Sequence, residues 1–189
     1  PHFIYNAIAN LQGLIGDQQT ERANSYLVAF SQFIRKQLEL NREETITLQE
    51  EIEAIEIYVK LQQMRYENRF TFHVETDLDT EAYLLPPMLI QPFVENAIEH
   101  GFKNINYQGV LTLTIEEKDN KLHLILIDNG NGKGVPNPHK KSLSKLITQE
   151  RLDLLFNTQQ KGNAYFEAAP LSPPETGYRV TIVIPVIPS

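Results

Sequence analysis

Hydrophobic residues recur at helical spacing in the first third of the chain. Apolar side chains return every three or four positions along residues 3–14 and again along 26–38, with a polar break at 17–20. This spacing places them on one face of an amphipathic helix. Thr47 and Glu50 match a capping box and predict a third helix, ending near Tyr66. The pattern therefore predicts a helical hairpin followed by a third helix.

The hydrophobic period changes to two after Arg69. Strands are predicted over residues 70–74, 110–115, 122–127, 164–168 and 178–186, and helices over 87–100 and 143–156. Asp119 and Asn120 occupy a predicted hairpin turn. This order predicts an α+β fold, a two-layer α/β sandwich with helices on one sheet face. We expect a helical region at 1–67 and the sandwich at 68–189.

Composition narrows the classes of function. The chain has 189 residues, of which 41% are hydrophobic and 22% charged, and 17 basic against 24 acidic side chains. The net charge of −7 argues against general nucleic-acid binding. The absence of cysteine excludes disulfides and thiolate metal sites. No run approaches the roughly 20 apolar residues of a membrane span, so we expect a soluble piece. Because it begins with Pro1, we also expect an excised fragment.

The stretch QPFVENAIEHG, residues 91–101, is the first candidate site. On an α-helix Asn96 and His100 lie four residues apart and project from one face. An amide, a carboxylate and an imidazole would then line that face. The alternative is a solvated helix surface on which His100 interacts favourably with the helix dipole.

The stretch IDNGNGKG, residues 127–134, is the second. Asp128 leaves a predicted strand into three glycines, which let the backbone approach a planar or phosphorylated ligand closely. Asp128 would then accept a hydrogen bond from that ligand. The alternative is that the Asn-Gly pairs serve turn geometry only.

Four segments together resemble a known family. PHFIYNAIANL is similar to the histidine box, LLPPMLIQPFVENAIEHGF to the asparagine box, DNGNGKG to the first glycine box and TGYRVTIVIP to the closing strand of LytS-type sensor histidine kinases. The resemblance covers nearly the whole chain. It implies a catalytic half with the ATP-binding fold of the GHKL superfamily.

The resemblance implies that His2 is the phosphoacceptor on the dimerisation helices. An imidazole, with a pKa near 6.5, is mostly neutral at pH 7 and offers a ring lone pair. Phe3 follows it where many other histidine kinases have an acid. The family also implies a missing upstream sensor region that is commonly embedded in the membrane, and hence a cytoplasmic domain of a bacterial membrane protein.

The resemblance also implies a nucleotide site for ATP and Mg²⁺. Asn96 would hold the Mg²⁺ that bridges the ATP phosphates, and Glu95 or Glu99 would shape its water shell, since Mg²⁺ prefers oxygen ligands. His100 would lie near the phosphates or the ribose.

The base of ATP would lie at the second candidate site, residues 127–134, which we call the glycine bend. Asp128 would accept a hydrogen bond from the adenine amino group, and Gly130 and Gly132 would let the loop pass close to the base. The resemblance thus gives the second candidate site a specific ligand.

The second glycine box of the family departs from its usual pattern here. The stretch before the Arg-Leu pair reads HKKSLSKLITQERL, with Ser142 and Ser144 where glycines are expected. Serines can still donate hydrogen bonds to phosphate, and Lys140 and Lys141 add local positive charge. The alternative for the lysines is a solvated loop.

The resemblance implies a sensor histidine kinase core that phosphorylates His2 and passes the group to an aspartate on a response regulator receiver domain. It would form a homodimer through its N-terminal helices. The altered glycine box favours an alternative, a non-catalytic signalling module with weak or no nucleotide binding. An ATPase of the same fold is a third reading, disfavoured because Pro92 stands where a water-activating carboxylate would be needed.

Overall fold

Three helices form the first part of the fold, as the hydrophobic pattern predicts. The computed structural model describes residues 2–132, 143–156 and 163–189. Helices α1 (His2–Gly16) and α2 (Thr20–Leu40) form the hairpin, and α3 (Leu48–Arg65) follows. Thr47 caps α3 through its hydroxyl, and the Glu50 carboxylate accepts the Thr47 N–H at 2.8 Å. The predicted capping box is therefore confirmed.

The second part of the fold is a five-stranded mixed sheet. Its strands are β2 (Phe70–Glu75), β4 (Gly109–Lys118), β5 (Lys121–Asp128), β6 (Tyr165–Pro170) and β7 (Tyr178–Pro185). Their spatial order is β2-β4-β5-β7-β6, with β2 and β4 parallel and the other pairs antiparallel. Asp119 and Asn120 join β4 to β5 with φ angles of 54° and 59°, as a two-residue hairpin turn of this hand requires.

Helices α4 (Gln91–Asn96) and α5 (Leu143–Phe156) complete the fold. The inward residues of β4 and β5 alternate with half-buried ones and lie in one core with apolar residues of α3 and α4. The α+β prediction is confirmed. The same core includes Ile55 of α3 and Leu111 of β4, so the boundary at residue 67 stays a prediction.

Two local features differ from the predicted elements. The helix expected over 87–100 begins only at Gln91, because Met88 has a φ of 57°, which no right-handed helix allows. A small sheet of β1 (Ile46–Thr47) and β3 (Leu84–Leu85) was not predicted, since two-residue strands leave no periodic pattern. No helix in the described ranges is long and apolar enough to cross a membrane.

Candidate functional site

A buried carboxylate organises the start of α4. Glu51 of α3 is fully buried and accepts the backbone N–H groups of Met88 at 2.8 Å and Ile90 at 2.9 Å. Burial raises the pKa of Glu51, while these bonds and one from the Gln91 backbone lower it. A carboxylate here satisfies N–H groups at the helix start that have no partner within the helix. Sequence reasoning missed Glu51, although it falls on the apolar face of α3.

Residues 91–101, which we call the asparagine helix, begin as α4 and end in a wider turn. Residues Ala97–Gly101 form a π-turn, closed by a 3.0 Å bond from the Phe102 N–H to the Ala97 carbonyl. The α-helical spacing that underlay the shared face of Asn96 and His100 therefore stops at Asn96. The turn places Gly101 beside Asp128, the last residue of β5.

Asp128 ends strand β5 as a buried acid in a glycine-lined bend. Burial raises its pKa to about 6, although backbone hydrogen bonds from Gly130 and Tyr178 lower it. The Gly130 N–H donates to Oδ1 at 2.8 Å. A side-chain carbon on Gly101 would lie 3.2 Å from the same oxygen. The backbone at Gly101 therefore lies close against the Asp128 carboxylate.

Glycine is required on three sides of this bend. A side-chain carbon at Gly130 would overlap the Gly101 carbonyl, and one at Gly177 would overlap the Asp128 carbonyl. Gly132 and Gly177 have φ angles of 65° and 134°, a region that favours glycine. Sequence reasoning did not single out Gly177. Its position directly before the last strand was the available signal.

The two candidate segments are tied together. The Asn131 N–H donates to the Gly101 carbonyl at 2.9 Å. Its side-chain Nδ2 donates to the carbonyls of His100 at 3.3 Å and Lys103 at 3.1 Å. The structure therefore brings the end of the asparagine helix and the glycine bend into direct contact.

Comparisons with known proteins bear on this arrangement. The family model described as "Histidine kinase" matches residues 1–70. The sensor protein LytS of Staphylococcus epidermidis is 39% identical over 132 residues, covering 70% of this chain and 22% of that protein. LytS of Oceanobacillus iheyensis is 32% identical over 168 residues, covering 85% of this chain and 28% of that protein. The chain belongs to the LytS-type sensor histidine kinases.

Solved structures show the same fold. The catalytic domain of histidine kinase ThkA matches with a TM-score of 0.54 at 16% identity, covering 77% of this chain and 97% of that one. The histidine kinase domain of the blue-light activated kinase from Erythrobacter litoralis matches with a TM-score of 0.55 at 17% identity, covering 91% and 83%. The fold is thus that of histidine kinase catalytic domains. The chain spans about a quarter of the length of its LytS relatives, by the 22% and 28% given above.

The two carboxylates near Asn96 both have partners, Glu99 on the neighbouring helix α3 and Glu95 within α4 itself. Glu99 forms an ion pair of 2.7 Å with Arg65 of α3 and accepts the Tyr66 hydroxyl at 3.3 Å. Glu95 accepts a 3.0 Å bond from Gln91. Burial raises the pKa of Glu95, as does Glu99, while the Gln91 bond lowers it. Their expected role in the water shell of Mg²⁺ stays a prediction.

The side chains near the bend fit the nucleotide and the metal that the family implies. The Asn96 side chain is partly exposed, and no hydrogen bond to it arises from the described residues. Its amide oxygen is a ligand type that Mg²⁺ accepts. The Asp128 carboxylate offers a hydrogen-bond acceptor. The bend around it is lined by glycines, and at Gly130 and Gly177 a side-chain carbon would overlap the neighbouring backbone. Within the described ranges, no cluster of three acidic or histidine side chains forms a metal site by itself.

The remaining predicted site residues lie in three places. His2 is the first residue of α1, and the next residue, Phe3, packs against Phe33 and Tyr58 with ring centres 4.7 and 5.5 Å apart. His100 is exposed, and its carbonyl accepts from Asn131. Three residues of the altered glycine box, Lys140, Lys141 and Ser142, lie outside the described residues, and so does the side chain of Ser144, whose backbone belongs to α5.

Proposed function

We propose that the chain is the kinase core of a two-component sensor, which transfers the γ-phosphoryl group of ATP to His2. The observation that supports this most is the contact between the asparagine helix and the glycine bend, made by Asn131 and Gly101. Both segments are needed for one nucleotide to be held at its base and its phosphates. Membership of the LytS-type family supports the same conclusion.

The reaction needs alignment and charge neutralisation more than covalent help from the protein. A ring nitrogen of His2 supplies the electron pair for the new P–N bond. The bond between the γ-phosphorus and the bridging oxygen breaks, and ADP leaves with that electron pair. The second ring nitrogen of His2 releases its proton to solvent. A neutral imidazole has a free lone pair, so no acid is needed at position 3.

The residues of the site would divide the work by position. Asn96 would contribute an oxygen to Mg²⁺, which supplies positive charge to the transferred phosphoryl group when bound. Asp128 would fix the adenine through its amino group. Gly130 and Gly132 would leave room for the base.

The phosphoryl group would then pass to an aspartate of a response regulator receiver domain. There the aspartate oxygen forms the new bond to phosphorus, and the imidazole leaves and regains a proton. We place this core on the cytoplasmic side of a sensor whose membrane region lies upstream.

A second copy of the chain would complete the kinase. Ile4, Ile8 and Ile15 lie on one face of α1 and are 45%, 46% and 62% exposed. An apolar stripe of this kind on one helix favours burial against a partner. We therefore propose a homodimer that buries this stripe.

Labelling the protein with ATP that is radioactive in its γ-phosphate tests the proposal. We expect acid-labile, alkali-stable label on the wild type and none on His2→Gln. His73→Gln is the matched control, because His73 is exposed on β2 and contacts only the Thr71 hydroxyl among its described neighbours. Asn96→Asp and Asp128→Asn should abolish labelling while circular dichroism keeps the helical signal. Unchanged labelling in both would contradict the assigned nucleotide site.

Two other outcomes would replace the proposed activity. Nucleotide binding without label would support a non-catalytic signalling module, the reading that the serines at 142 and 144 favour. Free phosphate with no labelled protein would support an ATPase. The three results are mutually exclusive in one experiment.

A further inference from the structure

A chain of hydrogen-bonded polar side chains connects the helical hairpin to the asparagine helix. The Gln37 Nε2 of α2 donates to the Gln91 Oε1 of α4 at 2.8 Å. The Gln91 Nε2 donates in turn to the Glu95 Oε1 at 3.0 Å. Gln91 is 1% exposed and Gln37 is 9% exposed. Buried amides are unfavourable unless they are hydrogen-bonded, so each link depends on its partner.

The direction of these bonds fixes the Gln91 side chain. A carboxamide has acceptors at one end and donors at the other. Gln37 donates to the oxygen of Gln91, and the nitrogen of Gln91 faces Glu95. A reversed Gln91 amide would present its oxygen to the Glu95 carboxylate, and two acceptors would then face each other. Gln37 and the Glu95 carboxylate, which only accepts, therefore hold the Gln91 amide between them in one orientation.

Glu95 lies at the point where such a change would reach the nucleotide site. It directly precedes Asn96 on a helix of only six residues, whose start is held by Glu51. Glu95 is half-buried, and the groups facing it include Tyr58 of α3 and Glu99 of the π-turn. A change in the Glu95 side chain therefore acts on the residue directly before Asn96.

We propose that Gln91 is a positioning residue of the nucleotide site, through which the docking of α2 sets the affinity for nucleotide at Asn96. The inference rests on the proposed function, since it concerns the same site. Movement of α2 that separates Gln37 from Gln91 releases the Gln91 amide and lowers that affinity. Coupling between two sites is reciprocal, so nucleotide binding must also change the surroundings of Gln37.

Magnetic resonance of side-chain amides tests this reciprocity with Mg²⁺ and ADP as the probe. We expect the Gln37 amide signal to shift on adding both to the wild type. The same addition should leave that signal unchanged in Gln91→Leu. Gln63 is the internal control, because its Nε2 donates to the Phe70 carbonyl at 3.2 Å, outside the connection. A merely structural Gln91 would not transmit a shift to Gln37.

Affinities for Mg²⁺-ADP give a second, independent test. Gln37→Leu and Gln91→Leu should each weaken binding about tenfold, the size expected for one hydrogen bond. The double variant should lose no more than either single variant, because both changes break one connection. Gln63→Leu is the matched control and should bind as the wild type does. The double variant removes both amides together, so it leaves neither Gln37 nor Gln91 as an unpaired buried group.

Each outcome decides the inference. Additive losses, or a silent Gln37 signal in a wild type that binds nucleotide, would overturn it and leave the proposed function standing. A wild type that binds no Mg²⁺-ADP would overturn both. If either single variant fails to fold, wild-type affinity in the folded double variant overturns the inference, and a loss of about tenfold supports it.

Discussion

The backbone N–H of Asn131 lies 2.9 Å from the carbonyl oxygen of Gly101 and donates a hydrogen bond to it. These residues belong to different candidate segments, the bend after β5 and the end of the π-turn. The two backbones are so close that a side-chain carbon at Gly130 would overlap the Gly101 carbonyl, and one at Gly101 would lie 3.2 Å from the Asp128 Oδ1. Small residues at this junction are therefore part of the site.

Gly130→Ala should disrupt the junction. Its side-chain carbon would overlap the Gly101 carbonyl and lie 2.8 Å from the Asp128 Oδ1. Overpacking of this kind costs about 1–3 kcal/mol of unfolding free energy. Urea denaturation measures that loss, and titration with Mg²⁺-ADP should show weakened binding.

Gly13→Ala is the control for that substitution. No heavy atom lies within 4 Å of the position where its side-chain carbon would be, in the interior of α1. Alanine there should stabilise the protein by up to about 1 kcal/mol, because glycine loses more backbone freedom in a helix. Gly130→Ala with the stability and affinity of the wild type would contradict the close approach of the two segments.

The raised pKa of Asp128 predicts a specific dependence of stability on pH. Its folded pKa of about 6 exceeds its ordinary value of 3.8, so between these values the folded state keeps a proton that the unfolded state loses. The contribution is full below about pH 4 and is lost as the pH rises to about 6, a change of up to about 3 kcal/mol.

Asp128→Asn should remove this part of the pH dependence. Urea unfolding of both proteins at several pH values between about 4 and 7 measures the difference. Glu51 also has a raised pKa, so some dependence should remain in the variant. Parallel pH profiles for the two proteins would show that Asp128 is not the group responsible.

Glu51→Gln should weaken the start of α4. The carboxylate accepts the N–H groups of Met88 and Ile90 with separate oxygens. Glutamine has one acceptor, so its amide nitrogen would face one of those N–H donors. The variant no longer has to bury a charge, which favours folding. An unpaired buried N–H, however, costs about 1–3 kcal/mol. We therefore expect a net loss of unfolding free energy.

Hydrogen exchange at the Met88 and Ile90 amides locates the effect of that substitution. Both should exchange faster in Glu51→Gln than in the wild type at equal pH. Glu56→Gln is the matched control, because Glu56 is exposed on the same helix and should change stability by less than about 0.5 kcal/mol. Unchanged exchange at both amides would mean that α4 does not need the Glu51 carboxylate.

Local patterns account for the parts of the fold that the sequence could predict. Thr47 and Glu50 cap α3 through contacts three residues apart, and Asp119 and Asn120 adopt the turn that their strands require. The Asp128 bend is recognisable because two of the glycines that it needs, Gly130 and Gly132, follow directly in sequence. In each case the residues that determine the structure are neighbours along the chain.

Long-range contacts explain what the sequence could not predict. The true start of α4 depends on Glu51, which is 39 residues away from Ile90. The Gln37 to Gln91 bond spans 54 residues, and the Arg65 to Glu99 bond spans 34. No period or motif encodes such partners, so the sequence could not indicate that Glu99 pairs with Arg65.

Ile8→Asp tests the proposed homodimer. Ile8 lies in the exposed apolar stripe of α1 and is 46% exposed in the single chain. A carboxylate there would have to lose its hydration on association, which is costly without a paired charge. We expect the wild type to have twice the mass of the 21.7 kDa chain in light scattering, and Ile8→Asp to have the mass of one chain.

Ala9→Asp is the matched control for Ile8→Asp. Ala9 is exposed on α1, next to Ile8 but outside the stripe, so the same charge enters the same helix turn. We expect this variant to remain a dimer, because its carboxylate can stay hydrated. If both variants were monomers, added charge or loss of helix propensity on α1 would explain the result, and not burial of the stripe. If both were dimers, the stripe would not be the interface. A monomeric wild type would contradict the proposed homodimer.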